Sequence, residues 1–173
     1  MLKFLKESQQ VKLRRPLPND SQEFTALMRQ SQELHYPWVS PPKTEEAFEK
    51  YLQTRQKPQN DGFLVCHAAT EHIMGVINLN EIVRGCFHSA YLGYYIGSPY
   101  AGQGYMQEAL ALVIVYAFQE LELHRLEANI QPANATSIAL VKRCGFQREG
   151  FSPRYLKIDG DWRDHERWAI LVD

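Results

Sequence analysis

A stripe of apolar residues in the second half of the chain predicts one long helix. Its members recur three or four positions apart: Met106, Ala109, Leu110, Val113, Ile114, Ala117, Phe118 and Leu121. This spacing puts them on one face of a helix, and that face must pack against the rest of the fold. The sequence therefore predicts a helix that begins after Gly104, ends near Leu121 and is docked firmly on the core.

Three shorter helices are predicted, each behind a residue whose side chain can accept a hydrogen bond from the helix N terminus. They are 21–33 after Asp20, 45–52 after Thr44, and 135–143 after Asn134. The apolar face of the first is formed by Phe24, Leu27, Met28 and Leu34. Gly145 is well placed to end the last of them, because glycine readily adopts the left-handed conformation found at helix C termini.

Runs rich in β-branched and aromatic residues predict the strands. These runs are 11–14, 63–68, 73–82, 90–96, 125–130, 155–158 and 162–172. Short turns join the second, third and fourth runs, which indicates an antiparallel meander, and the Asp159-Gly160 pair predicts a tight hairpin between the last two. The order of elements indicates an α+β fold, with a mixed sheet and helices packed against it.

Length and charge narrow the class of protein. With 173 residues the chain is expected to form a single domain over 1–173. The net charge is −1, from 19 basic and 20 acidic residues, so bulk attraction to nucleic acid or to an anionic membrane is not expected. The apolar part of Met1–Lys6 is too short for a signal peptide, and no apolar run is long enough to span a bilayer, so we expect a cytoplasmic protein.

The cysteines and histidines give no sign of a cross-link or a metal centre. Cys66, Cys86 and Cys144 are odd in number and far apart, and the six histidines form no pair at helical spacing. A disulfide framework and a zinc site both need closer, paired ligands. We therefore predict no metal, and expect the cysteines to be small buried apolar residues.

Two glycines, Gly102 and Gly104, precede the long helix and suggest a phosphate-binding turn. The first amides of a helix lack partners and carry about half a positive charge, which attracts an anion. The nucleotide loop that ends in Gly-Lys-Ser/Thr is excluded because Tyr105 follows Gly104, and the dinucleotide pattern is excluded because Gln107 stands where its third glycine belongs. A tight strand-to-helix connection remains the alternative.

The strand at 125–130 alternates, with apolar residues at even positions and Arg125, Glu127 and Asn129 at odd ones. A strand flanked by two helices in sequence is expected to be covered on both faces and continuously apolar. This strand is not. Its polar side therefore faces water or lines a cleft.

Several segments, in this order, resemble the GNAT family of acetyl-CoA-dependent N-acetyltransferases. They are Gly102-Gln103-Gly104 at a helix start, Asn134-Ala135-Thr136-Ser137-Ile138-Ala139-Leu140, and Cys144-Gly145-Phe146. The segment from Tyr155 to His165 is similar to the ribosomal-protein-alanine N-acetyltransferase branch. The resemblance implies a mostly antiparallel central sheet flanked by helices. It also implies acetyl-CoA as cosubstrate and direct attack by a primary amine in a ternary complex.

The resemblance assigns residues to acetyl-CoA. A backbone N–H from the strand end at 94–96 would hold the thioester oxygen, and the glycine turn would hold the pyrophosphate. The implied cofactor-binding residues are Tyr95, Ile96, Gly97, Ala101, Gly102, Gln103, Gly104, Tyr105, Met106, Asn134 and Ser137. Ala101 and Met106 depart from the family's pyrophosphate motif. Asn134 is expected to bind the pantetheine arm, to cap the following helix, or to do both.

Val141 stands where many relatives have a tyrosine that acts as general acid. A thiol has a pKa of about 8.5, so protonating the leaving thiolate is worth little at pH 7 and it can depart without an acid. Tyr105 and Tyr155 are possible replacements. The acceptor amine, in contrast, needs a base that removes its proton. We predict that Glu127 is this general base, with Asn129 beside it. The alternative for Glu127 is a surface ion pair with Arg125 or Lys157.

The acceptor is less well defined. An α-amino group has a pKa of about 7.7 to 8.0, against about 10.4 for lysine, so a protein N terminus loses its proton more easily. The residues predicted to contact the acceptor are Tyr36, Trp38, Tyr155 and Asp164. The alternative for Tyr36 and Trp38 is that they pack their loop on the core. The alternative for Asp164 and His165 is that they are surface residues of the last strand. Glu108 lies in the first turn of the long helix, where the helix dipole stabilises a negative side chain, so we expect it to have no catalytic role.

A protein N terminus, such as that of a ribosomal protein, is the predicted acceptor, and a small-molecule amine or antibiotic is the alternative. A non-catalytic acyl-CoA-binding module is the competing class. We expect a monomer or homodimer with no membrane partner and no direct nucleic-acid partner.

Overall fold

A computed structural model describes residues 5–172, and the prediction about a leader at Met1–Lys6 falls largely outside them. The chain forms an eight-stranded sheet in the order β1-β2-β3-β4-β5-β6-β8-β7. The strands are β1 Lys6–Glu7, β2 Val11–Arg14, β3 Asp61–His67, β4 Ile73–Val83, β5 Ser89–Ile96, β6 Arg125–Ile130, β7 Gln147–Ile158 and β8 Asp161–Leu171. Neighbouring strands are antiparallel except β5 and β6, which are parallel. The predicted mixed, mostly antiparallel sheet is confirmed.

Helices cover both faces of the sheet. They are α1 Ser21–Gln30, α2 Gln32–His35, α3 Glu45–Arg55, α4 Tyr105–Gln119 and α5 Ala135–Arg143. Alternate residues of β3 belong to different core clusters, Phe63 and Val65 to one and Leu64 and Cys66 to the other, so the two clusters lie on opposite faces. The first cluster includes residues of α4 and α5, and the second includes residues of α1 and α3.

Local signals placed most elements correctly. Thr44 caps α3 by accepting a hydrogen bond from the Ala47 amide at 3.2 Å, and the Asn134 side chain accepts one from the Ser137 amide at 3.2 Å. Asp159 and Gly160 have φ of 48° and 88°, the values of the tight hairpin turn that the Asp-Gly pair predicts.

The predicted helix over 21–33 is wrong in two respects. It is broken at Ser31, which separates α1 from α2, and Leu34 is 40% exposed rather than buried. Asp20 does not cap α1, because its carboxylate pairs with the buried Arg14 and accepts the Leu17 amide at 2.7 Å.

Three smaller differences complete the picture. The short β1 was not predicted, and β7 starts eight residues earlier than expected, at Gln147. Its early part contains Gly150 and Pro153, and its pairing with β8 is irregular there, which explains why no strand pattern was visible. Cys66 is buried and Cys144 partly buried, but Cys86 is exposed, so the expectation of burial is wrong for Cys86. Within residues 5–172, no helix combines the length and apolar character needed to cross a bilayer.

Candidate active site

The two parallel strands at the centre of the sheet separate part of the way along. β5 and β6 pair only from Ser89–Tyr91 to Arg125–Glu127, although β5 continues to Ile96 and β6 to Ile130. A pocket of about 270 Å³ is lined by the free end of β5, the glycine turn, the start of α4, the exposed side of α5 and the loop after α2. Elements from both faces of the sheet therefore meet at this opening.

The glycine turn forms an open anion cradle. Gly102 and Gly104 have φ of 74° and 87°, and a Cβ atom on either would meet no other atom within 4 Å. The first hydrogen bond of α4 runs from the Glu108 amide to the Gly104 carbonyl at 3.1 Å, so the amides from Tyr105 to Gln107 have no partner within the helix. Free amides, positive helix charge and open space together fit the diphosphate of a coenzyme A.

Neighbouring contacts fix the cradle without occupying it. The Gln103 side chain turns back and donates to the Pro99 carbonyl at 2.8 Å, and the Ala101 amide donates to Ser98. Met106 is only 7% exposed and packs in the core cluster beneath α4. Because the hydrogen-bond donors of the cradle are backbone amides, the unusual Ala101 and Met106 leave these donors intact.

Most of the residues predicted to bind the cosubstrate line this one pocket. Those that do are Tyr95, Ile96, Ala101, Gly102, Gly104, Tyr105, Met106, Asn134 and Ser137. Gly97 and Gln103 do not line it. Gly97 is packed so tightly against Leu27 that a Cβ atom would overlap it, so this glycine serves close packing.

A pair of hydroxyl groups joins β5 to α5 at the pocket wall. The Tyr94 phenol lies 2.6 Å from Ser137 Oγ, and both residues line the pocket. Burial raises the pKa of Tyr94 well above its ordinary value, so the phenol is neutral. Val141 is fully buried in the core, one turn further along α5. Val141 is therefore not part of the pocket lining, and the side chains with hydroxyl groups that do line it are Tyr94, Tyr95, Tyr100, Tyr105, Thr136 and Ser137.

Glu127 is held in an ion pair outside the residues that line the pocket. Its carboxylate accepts from Arg125 Nε at 2.7 Å, and only 12% of its side chain is exposed. Arg125 also pairs with Glu149. Asn129, on the same face of β6, has a buried Oδ1 with no hydrogen-bond partner. The structure thus shows the Arg125 pairing that the sequence left open, and a general-base role for Glu127 stays a prediction.

Two matched variants separate these roles of Glu127. Glu127→Gln and Glu149→Gln each weaken one ion pair of Arg125, so if Glu127 is structural, both will lower turnover by similar small factors. Steady-state kinetics over a range of pH measure this. A loss of about 100-fold or more in Glu127→Gln alone, largest at low pH where the amine most needs a base, would instead identify Glu127 as the base.

The predicted acceptor residues are not brought together. Trp38 lines the pocket, beside Leu34, His35 and Val39. Tyr36 is 69% exposed and lines a second cavity of about 350 Å³, between α2, the following loop and the β7–β8 turn. Asp159 from that turn accepts a hydrogen bond from Ser40 at 2.5 Å.

Tyr155, Asp164 and Glu108 lie outside the residues that line either cavity. The Tyr155 ring lies 6.3 Å from that of His165, and Asp164 accepts the Arg154 amide at 2.7 Å. Glu108 accepts from Ser8 and from the Gln10 amide, which ties the β1–β2 turn to α4 and supports its structural role. Among residues 5–172, no group of three His, Cys, Asp or Glu side chains could hold a metal ion.

Sequence reasoning missed several residues that line the pocket. They are Leu34, His35, Val39, Tyr94, Tyr100, Gln107, Thr136, Leu140 and Arg143. Helical spacing could have indicated Leu140 and Arg143, which follow Ser137 at intervals of three and six, and Arg143 Nε donates to Gln107 Oε1 at 3.1 Å across the cradle. His35 and Tyr94 have no such local signal.

Comparison with known proteins indicates the family of this chain. The sequence model of the protein family described as acetyltransferase (GNAT) domain matches residues 10–147 of this chain. The Bacillus subtilis protein YjcK, named as a probable N-acetyltransferase, is 37% identical over 122 residues, which are 70% of this chain and 67% of that protein. The [ribosomal protein uS5]-alanine N-acetyltransferase of Escherichia coli is 47% identical over 102 residues, covering 59% of this chain and 53% of the enzyme.

Among solved structures, RimJ of Mycobacterium smegmatis in complex with a CoA-disulfide superposes with a TM-score of 0.86 at 27% identity, covering 93% of this chain and 81% of RimJ. This chain thus spans about half the length of the Escherichia coli relative and most of the length of RimJ. Since the family model matches most of its residues and the pocket fits coenzyme A, the chain belongs to the GNAT family of acetyl-CoA-dependent acetyltransferases.

Proposed function

We propose that this protein acetylates the N-terminal α-amino group of another protein, such as a ribosomal protein, in a ternary complex with acetyl-CoA. The observation that carries the proposal is the character of the pocket beyond the cradle. Leu34, Trp38 and Val39 form an apolar wall there, and among the described residues no Asp or Glu lines the pocket. A polyamine or aminoglycoside would need carboxylates to balance its several charges, whereas a peptide N terminus brings a single amine.

The energetics of the amine support the same acceptor. Only the neutral amine is a nucleophile, and at pH 7 the free energy needed to deprotonate an α-amino group is about 1 kcal/mol, against about 4.6 kcal/mol for lysine. A pocket with no carboxylate base beside its apolar wall suits the α-amino group, because its ammonium form has the lower pKa and loses its proton more easily. The resemblance to an enzyme named for alanine acetylation of ribosomal protein uS5 points the same way.

The chain's own residues would divide the work along the pocket. The amides of the Gly102–Gly104 turn and of the α4 N terminus would hold the diphosphate, and Asn134 and Ser137 would lie along the pantetheine arm. Bound acetyl-CoA supplies an acetyl group activated as a thioester. Beyond Tyr91, the edge of β5 that faces β6 has no strand partner, so a backbone N–H there would bind the thioester oxygen, and the hydroxyl groups of Tyr94 and Ser137 would offer a proton nearby.

Release of free CoA from acetyl-CoA tests this proposal directly. Three acceptors are compared at equal concentration: a lysine-free peptide with an N-terminal alanine, an N-terminally blocked peptide with one lysine, and spermidine. We expect the first to be turned over at least about 10-fold faster than the others, because its amine is the most acidic. Preference for spermidine would assign a small-molecule acceptor. CoA binding without turnover of any of the three would favour a non-catalytic module.

A further inference from the structure

Two buried side chains at the junction of α1 and α2 grip the backbone that leads into the cradle. Ser31 and His35 are 1% and 4% exposed. Ser31 Oγ accepts the Ser98 amide at 2.9 Å and donates to the Leu27 carbonyl at 2.7 Å. His35 Nε2 lies 2.8 Å from the Ile96 carbonyl oxygen. We call Ser31 and His35 the α2 clamp.

The tautomer of His35 follows from its partner. A carbonyl oxygen only accepts hydrogen bonds, so Nε2 must carry the proton. Burial lowers the pKa of His35, and Lys43 lowers it further against the opposing effect of the Ile96 hydrogen bond. The ring is therefore neutral. Its Nδ1 is buried and has no hydrogen-bond partner, so a second proton would place an unsatisfied N–H there.

The clamp completes the fixing of one peptide unit at the end of β5. The carbonyl of the Ile96–Gly97 unit accepts from His35, and its N–H donates to the Met74 carbonyl at 2.7 Å. Both ends of this peptide plane are thereby held, one by the sheet and the other by α2. The next residue, Ser98, is held by Ser31.

The same segment also borders the second cavity. His35 and Val39 line both cavities, and the ring of His35 packs edge-on against Tyr95 at 5.6 Å between centroids. The loop after α2 is tied to the other diverging strand as well, because Gln131, directly after β6, donates to the Pro37 carbonyl at 3.1 Å. The clamp thus connects the loop after α2 with the end of β5.

We propose that Ser31 and His35 are positioning residues that hold the free end of β5 in register with the acceptor loop. The inference rests on the proposed function. If the inference is correct, loss of the clamp slows acetyl transfer. CoA would still be retained by the cradle, which is formed by α4 and the Gly102–Gly104 turn. Misplacing reacting groups by about 1 Å is enough to lower a rate by about 100-fold.

Four variants test the clamp. His35→Leu removes the donor, whereas His35→Gln keeps an N–H at a similar reach and does not titrate. Ser31→Ala removes the acceptor for Ser98, and Ser21→Ala is its control, because the Ser21 hydroxyl has no hydrogen-bond partner. We expect His35→Leu and Ser31→Ala to lower kcat by about 10-fold to 100-fold. We also expect CoA affinity to fall by a smaller factor than kcat, His35→Gln to recover most of the rate, and Ser21→Ala to match the wild type.

Two readouts need no acceptor. Nitrogen NMR of the imidazole should show His35 as the neutral Nε2–H tautomer, and hydrogen exchange should accelerate at the Gly97 and Ser98 amides in His35→Leu and Ser31→Ala while thermal unfolding shows the fold intact. If no N-terminal peptide is acetylated by the wild type, the proposed function fails, and the exchange rates still decide the clamp. The clamp is overturned if exchange is unchanged, if His35→Gln is as slow as His35→Leu, or if the whole loss lies in CoA affinity.

Discussion

A Gly104→Val variant is expected to lose CoA binding, with an affinity at least about 100-fold weaker than wild type, equivalent to about 2.8 kcal/mol. Gly104 stands directly before α4 with φ of 87°, and its missing Cβ faces open space at the cradle. A β-branched side chain would fill the space that the diphosphate needs, next to the free amides of the helix. Isothermal titration with CoA measures the loss.

The control for this variant is Gly85→Val. Gly85 also has a left-handed backbone, with φ of 74°, and a Cβ there also meets nothing within 4 Å. It lies in the exposed turn before β5, away from the residues that line the pocket. A side chain in this conformation destabilises either site by about 1–2 kcal/mol, so only the ligand distinguishes the two variants. If Gly104→Val and Gly85→Val bound CoA with equal affinity, the glycine turn could not be part of the CoA site.

The second large effect is expected for stability, in Asp20→Ala. Arg14 and Asp20 are 3% and 8% exposed, and they form two hydrogen bonds of 2.7 and 2.8 Å. Removing the carboxylate leaves a buried guanidinium without its counter-charge and the Leu17 amide without its acceptor. We expect the free energy of unfolding to fall by about 3–5 kcal/mol. For a chain of this size, that lowers the Tm by about 6–20 °C.

Glu46→Ala provides the comparison for Asp20→Ala. Glu46 pairs with Lys50 one turn along α3, but their side chains are 78% and 70% exposed. Such a pair contributes about 0.3–0.5 kcal/mol, since water screens both charges. Thermal and chemical unfolding of the two variants should therefore differ clearly. Similar losses would mean that the Arg14–Asp20 pair is not a buried structural element.

The parts of the fold that depend on neighbours in sequence could be predicted. The stripe on α4, the Thr44 cap and the Asp159-Gly160 turn each need only a few adjacent residues, and the structure contains all three. Asp20 has the residue type and position of an N-cap for α1, but its carboxylate instead forms an ion pair with the buried Arg14. Burial of Arg14 depends on tertiary packing, and no local pattern in the sequence indicates it.

The site divides in the same way. Gly102 and Gly104 could be identified only together with the family-like segments that follow them, because glycines before a helix also mark ordinary tight connections. Ser31 reads as an ordinary helix residue, although its hydroxyl bonds to Leu27 and to Ser98, 67 residues away. His35 reaches Ile96 across 61 residues, and Tyr94 reaches Ser137 across 43. Such contacts exist only once β5 is paired and α2 and α5 are packed on the sheet.

Identification of the acetylated atom tests the central claim most directly. The wild-type protein is incubated with acetyl-CoA and a peptide that has an N-terminal alanine and one internal lysine, and the product is fragmented in a mass spectrometer. The proposed function predicts a single acetyl group on the alanine α-amine, formed by the wild type and much reduced with Gly104→Val. An acetyl group on the lysine, or an unmodified peptide in the presence of a protein that binds CoA, would contradict it.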